Sequence, residues 1–498
     1  MRFSSKKNRV DATLKVLLLA FLLISRAASG QSWSMSYPGI GTFSSPRATD
    51  LNQDGVKDIV LGMGRAEFQA CDTAVVAIDG RNGKMIWSVG AIDQIFGSAG
   101  LLDINGDSVQ DVIIGGRSAE LIAIDGKTGK EFWRFDKTAR GVRWYNFYNP
   151  QFIPDQDGDD LADILISNGG NVLAEPHQTR NRPPGYLVII SSRTGKLLTL
   201  AKMPDKREIY MSVSVAMNPH LSDLAVSFGT GGETVGGNLY TTSLKEVLAG
   251  DISKARLFDK SRDKGFVAPA LWTDINADGV PDLVANAVEG RMCSYDGASG
   301  KKIWCVRISG AEAYSSIAVG NFNGDAIPDF FASYAVGSWP KLEWSHQFMV
   351  DGKSGKILFE DSLGFYQTSS PVVADLNGDG VDEVILSVNI HVYDDFNNKS
   401  LNNMLVSIDF SKNEVQQLTE FQGGSNISTT PWIGDLDSDG LLDIVHCHAT
   451  NLKKPYTFDG VQINRIATQI PVYKEIKWGA YMGSNYDGAY LTQQTSLK

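Results

Sequence analysis

One nine-residue pattern recurs seven times along the chain and constrains the fold more than any other feature. It reads Asp-x-Asn/Asp-x-Asp-Gly-x-x-Asp and is followed each time by apolar, β-branched residues. Copies begin at Asp50 (DLNQDGVKD), Asp103 (DINGDSVQD), Asp155 (DQDGDDLAD), Asp274 (DINADGVPD), Asn321 (NFNGDAIPD), Asp375 (DLNGDGVDE) and Asp435 (DLDSDGLLD). The starts lie 53, 52, 119, 47, 54 and 60 residues apart. The 119-residue interval is two repeats long. Within it, SVSVAMNPHLSDLAVSFG keeps the flanking strand-like runs and Asp223 but has lost the acidic loop. Eight repeats of about 55 residues therefore fill the chain, a period that marks a repeat architecture.

Each repeat carries four strand-like runs. In the seventh, SSPVVAD is strand a, EVILSV strand b, MLVSID strand c and VQQLTEF strand d, with the acidic loop between a and b. A second pattern, apolar-x-Asp-Gly-x-x-Gly-Lys-x-x-Trp, joins c to d. It appears as AIDGRNGKMIW (77–87), AIDGKTGKEFW (123–133) and SYDGASGKKIW (294–304), with weaker copies at 188–198 and 349–359. Its Gly pairs supply the left-handed residues of a tight hairpin, and its Trp can pack on the neighbouring unit. Helical periodicity is nearly absent; the exception is a capping box at Ser243 to Glu246. Four-stranded units at this period are propeller blades. The expected fold is all-β: one domain over 31–498, an eight-bladed β-propeller of antiparallel blades, with a seven-bladed ring as the alternative. The segment SWSMSYP before the first strand a resembles a fourth strand with no blade of its own, so it or the C-terminal tail should close the ring.

The acidic loop has the chemistry of a calcium cage. Ca²⁺ takes six to eight oxygen ligands, and oxygens at loop positions 1, 3 and 5 alternate towards one centre. Gly at position 6 reverses the chain, and the position-7 carbonyl and position-9 carboxylate close the cage. The first set is Asp50, Asn52, Asp54, the Val56 carbonyl and Asp58. The others are Asp103/Asn105/Asp107/Asp111, Asp155/Asp157/Asp159/Asp163, Asp274/Asn276/Asp278/Asp282, Asn321/Asn323/Asp325/Asp329, Asp375/Asn377/Asp379/Glu383 and Asp435/Asp437/Asp439/Asp443. Ser108, Asp160 and Ala326 replace the glycine, and Asn321 replaces a carboxylate, so the Asn321 loop should be the weakest. About seven structural Ca²⁺ are expected.

These loops resemble FG-GAP (VCBS-type) repeats, the calcium-binding blades also found in integrin α-chain heads. The Trp-bearing hairpins look like the blade-docking motif of quinoprotein (PQQ-type) propellers. The resemblance covers about residues 44–460. It implies a calcium-loaded propeller; propellers of this kind serve adhesion, polysaccharide cleavage and other roles, so it does not choose an activity.

Residues 1–30 have the layout of a secretory signal peptide: a basic start, an apolar stretch Val16 to Ile24, and Ala27-Ala28-Ser29-Gly30 before Gln31. The stretch is too short to span a bilayer. The expected location is secreted, periplasmic or cell surface. The formal charge is −11, and residues 1–30 carry +5, so the remainder stands at −16. That balance argues against nucleic acid as a partner. Seven Ca²⁺ would return +14. Of four cysteines, Cys293 and Cys305 flank one hairpin; centring the turn at Ser299 sets them opposite each other, where a modest local twist brings them into disulfide range. Cys71 and Cys447 could bridge blades one and eight.

The a–b loops and c–d hairpins share one face of such a ring, and the b–c and d–a connections share the other. The first is uniform. The second carries long inserts at 169–185, 229–237, 336–347, 389–403 and 448–460. It gathers Trp144, Tyr145, Tyr148, Tyr210, Tyr314, Trp339, Trp344, Tyr366 and Tyr393, with Arg143, Arg182 and His177. Variable loops on a rigid frame are where binding usually resides. No Gly-x-Ser-x-Gly, His-Glu-x-x-His or phosphate loop occurs. His446 and His448 alternate in one strand and face one side, a spacing that could hold a metal. The leading expectation is a non-catalytic binding or adhesion module for a glycan or protein. A lyase-like polysaccharide-acting enzyme and a PQQ-dependent oxidoreductase are the alternatives.

Overall fold

The computed structural model describes residues 30–366 and 368–491; the signal peptide expected over 1–30 lies, but for Gly30, outside the described residues. Eight four-stranded antiparallel units run in chain order around a ring, with strand a innermost. Their strands a are Arg47–Thr49, Gly100–Leu102, Gln151–Ile153, Ser214–Asn218, Leu271–Thr273, Ala318–Gly320, Val372–Ala374 and Trp432–Gly434. The fold is an eight-bladed propeller, and the seven-bladed alternative is set aside. The repeat without an acidic loop is a full blade, the fourth, whose a–b turn is Asn218 to Asp223. The helix Leu244–Leu248 follows its strand c, with the capping box at Ser243 and Glu246 in place.

The N-terminal strand closes the ring. Trp33–Pro38 pairs antiparallel with Gly460–Pro471, the strand c of blade eight, from Trp33 opposite Arg465 to Pro38 opposite Gly460. The last blade is therefore built from both ends of the domain, and a ring joined this way resists opening at its seam.

Apolar residues of adjoining blades merge into shared cores, because each sheet buries both faces. One cluster joins blades eight, one and two through Val60, Val75, Val112, Val445 and Ile463. Others join blades three to five and five to seven. Cys293 and Cys305 are bonded and directly opposite in register. A bulge then places Tyr295 opposite Lys302 rather than Ile303. Cys71 and Cys447 are free, buried thiols in the blade eight/one core and do not bridge it.

The C-terminal tail has a different task from ring closure. After Pro471 it crosses the acidic-loop face, where Lys474 pairs with Asp382 at 3.0 Å. It then enters the axis and satisfies inner-edge N–H groups: Val373 donates to Trp478 O, Ile433 to Gly479 O, Val215 to Asp487 O and Trp272 to Gly488 O. Arg47, almost fully buried, donates to Tyr481 O at 3.0 Å and lies 3.7 Å from the Tyr486 ring centre. The tail thus covers edges that strands a would otherwise leave unpaired.

The two chain ends can be probed separately. Deleting residues 31–38 should expose the edge of Gly460–Pro471 and cost about 3 kcal/mol or more, read as a lower melting temperature and fast hydrogen exchange over 460–471. In the tail, burial raises the Asp487 carboxyl to about 6. Its folded value exceeds its unfolded one, so its contribution is fully present below about pH 4 and is lost as pH rises through about 6. Asp487→Asn should therefore stabilise the protein at pH 8, by up to about 3 kcal/mol, and leave it unchanged below pH 4 in thermal melts.

Candidate functional site: the acidic loops and the variable face

The acidic loops share a backbone course with left-handed residues at two positions. Position 6 is left-handed at Gly55, Ser108, Asp160, Gly279, Gly380 and Gly440, but not at Ala326. Position 4 is left-handed in all seven loops, at Gln53, Gly106, Gly158, Ala277, Gly324, Gly378 and Ser438. The carboxylates at position 1 accept the position-6 N–H: Asp50 from Gly55, Asp103 from Ser108, Asp274 from Gly279 and Asp435 from Gly440. In the blade-six loop Asn321 accepts only from Gly324, since Ala326 stays out of the left-handed region. Position-5 carboxylates accept the position-7 N–H, for example Asp54 from Val56 and Asp325 from Ile327.

The position-9 carboxylate is buried and ties the loop to the c–d hairpin. Asp58 accepts Leu51 N at 2.9 Å with one oxygen and Gly80 N at 3.0 Å with the other. Asp111, Asp163, Asp282 and Asp329 repeat this arrangement with Ile104 and Gly126, Gln156 and Ser192, Ile275 and Gly297, and Phe322 and Gly352. In blade eight, which lacks the hairpin, Arg465 takes the second place at 2.9 Å from Asp443. Burial pushes Asp58, Asp163 and Asp282 up to about 6 and Asp329 and Glu383 to about 7, against the backbone donors that pull them down.

The hairpin also brings a carboxylate that loop spacing alone does not reveal. Asp296, Asp351 and Asp409 each accept the side-chain amide of the position-3 Asn, at 3.3 Å from Asn276, Asn323 and Asn377. Asp79 and Asp125 stand at the same hairpin position in blades one and two, whose position-3 residues are Asn52 and Asn105. In blades three and eight position 3 is an acid, Asp157 or Asp437, and the corresponding residue at strand c is Ser191 or, where the hairpin is missing, Ala467. The acid stands on one side or the other and never on both. Three groups converge closely, with oxygens within 4.8 Å of one another: Asp155/Asp157/Asp163, Asp379/Glu383/Asp409 and Asp435/Asp437/Asp443.

Among the described residues Asp379 is the one position-5 acid in these groups; Asp54, Asp107 and Asp325 stand outside them, as do Asp159, Asp278 and Asp439. Each of the last three spends one oxygen on its own turn: Asp159 accepts Leu161 N at 3.0 Å, Asp278 accepts Val280 N at 2.9 Å and Asp439 accepts Leu441 N at 2.8 Å. Outside donors claim the second oxygen in two of them. Arg193 Nε lies 3.0 Å from Asp159 Oδ2, and Gly30 N donates to Asp439 Oδ2 at 3.3 Å. In blade five the position-3 residue is Asn276, whose amide turns to Asp296 rather than to Asp278. The carboxylate clusters of blades three and eight are therefore built from positions 1, 3 and 9.

On the variable face the nine aromatic residues divide. Trp144, Tyr148 and Tyr366 are buried, Tyr145, Tyr210, Tyr314 and Trp339 are half-buried, and Trp344 and Tyr393 are exposed. Trp339, in the blade-six insert, contacts the rings of Tyr314, Tyr366 and Tyr456, the last on the blade-eight insert. Several of these rings thus pack inserts together. Tyr314 and Lys264 donate to buried Glu312 at 2.5 Å, Ser338 Oγ at 2.7 Å and Trp339 N at 2.9 Å. Burial raises that carboxyl, but these donors prevail and hold it below the usual range. Arg182 clamps Glu208, which burial nevertheless raises. Between the connection 143–145 and the blade-three insert lies an open concavity of about 440 Å³, lined by Arg143, Tyr145, Asn171, Thr179, Asn181, Arg182 and Pro183. His177 lies in the same insert and is exposed.

An axial belt beneath this face was not apparent from motif reading. Thr430 N donates to Ser45 Oγ, Ser45 N to Ser98 Oγ, Ser98 N to Asn149 Oδ1, Asn149 N to Ser212 Oγ and Ser316 N to Ser370 Oγ. The Ser, Thr or Asn just before strand a was the available signal.

The architecture defines an eight-bladed propeller with acidic a–b loops. A family model described as the FAM234A/B β-propeller matches residues 33–218. Protein FAM234A of Bos taurus is 26% identical over 172 residues, 31% of either chain, so the match spans about a third of that relative's length. Among solved structures, a europium-containing methanol dehydrogenase superposes with a TM-score of 0.54 at 13% identity, over 87% of this chain and 92% of its own. A quinohaemoprotein alcohol dehydrogenase from Comamonas testosteroni gives 0.51 at 13%, over 89% and 77%. At such identity the likeness is one of fold.

The acid exchange can be tested in blade five. Asn276→Asp should set two carboxylates side by side and cost about 0.5–1 kcal/mol in calcium-free buffer. Adding Asp296→Ser should recover most of that loss, as in blades three and eight. A double-mutant cycle in urea reads the coupling.

Proposed function

We propose that this chain is an exported, calcium-stabilised propeller whose variable face binds a glycan without catalysis. The concavity at Arg143 and Tyr145 carries that reading. An aromatic ring, two amides, a hydroxyl and guanidinium groups around one opening are the donors, acceptors and flat face that sugar hydroxyls and ring C–H groups require. Arg143 lies 5.2 Å from the Tyr145 ring centre, so the two side chains present one amphipathic wall.

Calcium is the second part of the proposal. The three converging carboxylate groups suit a hard cation that prefers oxygen. In blade seven the third oxygen comes from Asp409 of the hairpin. In this reading the position-5 acids outside these groups join their cages only when an ion draws them inward. The ions would neutralise the facing carboxylates and hold loop and hairpin together; they are structural and carry no reaction. The adhesion role expected of FG-GAP-like blades belongs to the same reading, with a protein surface as the other possible ligand of this face.

A glycan array with the purified chain should give a defined set of ligands. Arg143→Ala and Tyr145→Ala should each weaken the strongest of them about tenfold or more, with an unchanged melting curve. An empty array would remove the glycan reading. Separately, native mass spectrometry should count about seven calcium ions, and chelation should lower the melting temperature, because calcium binds the folded loops alone. Two ions or fewer would defeat the seven-site assignment.

A further inference from the structure

The interfaces between blades are closed largely by apolar clusters, and where polar side chains meet across them they bond, as Tyr334 of blade six donates to Asn286 Oδ1 of blade five at 2.7 Å. Where blades seven and eight meet, only the half near the acidic loops is greasy, through Val372, Ile385, Leu405, Ile433, Leu442 and Ile444. Further along the same strands the facing residues turn polar. Blade eight presents His446 and His448, with Asn464 directly opposite His446 in register. Blade seven presents Asn403, one alternation along from Leu405. Asn403 and Asn464 both bond to Gln422, the first to its carbonyl at 3.2 Å and the second to its side chain at 3.3 Å. The two walls therefore meet there.

This seam leaves ligand atoms unclaimed. His446 is 1% exposed, and neither ring nitrogen has a partner. His448 is 2% exposed; its Nδ1 faces its own neighbour's carbonyl, Ala449 O at 3.2 Å, and its Nε2 is free. Asn403 is fully buried, and its Oδ1 is also free. Buried polar atoms are nearly always satisfied, and an orphan costs about 1–3 kcal/mol. So many orphans in one seam require an occupant.

We propose that this occupant is a divalent transition-metal ion bound by His446 and His448, with Asn403 Oδ1 as a further ligand. His-x-His on a strand sends both imidazoles to one side. The rings are nearly parallel, 20° apart, with centres 5.8 Å apart. An ion at about 2.0–2.1 Å from one nitrogen of each ring holds ring centres roughly 5–6 Å apart. Nitrogen ligands select zinc, copper, nickel or cobalt over calcium, so the site is chemically distinct from the acidic loops. It would pin blade eight, the blade closed by the N-terminal strand, to blade seven.

The test uses the full exported chain held in saturating calcium, which occupies carboxylate sites and leaves imidazoles free. Cobalt(II) should bind at one equivalent with visible ligand-field absorption, and His446→Gln and His448→Gln should each abolish it. Because either variant could fail to fold, the unmodified chain loaded with copper(II) gives an independent reading: electron spin-echo modulation from two coordinated imidazoles. Absent nitrogen-ligated binding, one imidazole or none in the echo, or absorption that survives in both folded variants would overturn the proposal and leave ordered water as the occupant.

Discussion

In five of the eight blades a buried carboxylate holds two loops together, and the docking of neighbouring blades is built on it. Asp58 takes Gly80 N, and the carbonyl of that same Gly80 accepts the indole of Trp33 at 2.8 Å. Asp111 fixes Gly126, whose carbonyl accepts Trp87. Asp163 fixes Ser192 for Trp133, and Asp329 fixes Gly352 for Trp304. One residue thus donates an intrablade bond through its N–H and accepts an interblade bond on its carbonyl. A buried N–H or carbonyl without a partner is costly, so removing the carboxylate disturbs the neighbour's docking as well as its own loop. The hairpin glycines belong to the same contact: Gly129 has φ +72, and a Cβ there would sit 2.7 Å from Trp87.

Seen this way, ring closure is not a special joint. Trp33 lies on the N-terminal strand, yet it docks on blade one as Trp87 docks on blade two. Where the tryptophan is missing, another side chain does the task. Arg256 of blade four reaches the Gly297 and Ala298 carbonyls of blade five at 3.4 and 3.1 Å. Inside, the tail satisfies strand edges at the axis, and the Ser/Thr/Asn belt links successive blades above it. With the outer, inner and acidic-loop sides all committed to holding the ring, only the variable face can diversify without cost to the fold.

That division explains what was legible in the sequence. The blade count, the four runs per blade, the fourth blade without its loop, the N-terminal strand and the Cys293/Cys305 register all follow from local patterns with fixed spacing. The position-9 acids were visible as ligand candidates, but their bonds to the hairpin depend on strands far apart in sequence being folded together. Spacing also treated every position-5 acid alike, and could not show that Arg193, 34 residues on, holds Asp159. The aromatic residues of the variable face could not be sorted by pattern. Tyr148 and Tyr393 are the same residue type in similar loops, yet one is 8% and the other 56% exposed. The tail's place in the axis was equally hidden, because Trp478 to Tyr490 has no repeat to compare with.

The arrangement of acids carries the argument one step further. A turn needs only its capping oxygen, which Ser191 supplies for Thr194 N at 3.3 Å as Asp125 does for Thr128 N at 2.8 Å. Hairpin stability therefore does not require an aspartate. A loop turn likewise does not require an acid at position 3, where Asn105 Oδ1 accepts Asp107 N at 2.9 Å. Yet whenever the loop gives up its acid the hairpin has one, and whenever the hairpin gives up its acid the loop has one. Six of the seven sites keep four carboxylates, and the exception is the Asn321 loop, which has three. Clustered carboxylates repel one another and are destabilising in an empty site. A nearly constant number held at varying positions fits the proposed calcium ions, since a cation is satisfied by total oxygen charge from either strand connection, and no turn geometry demands it.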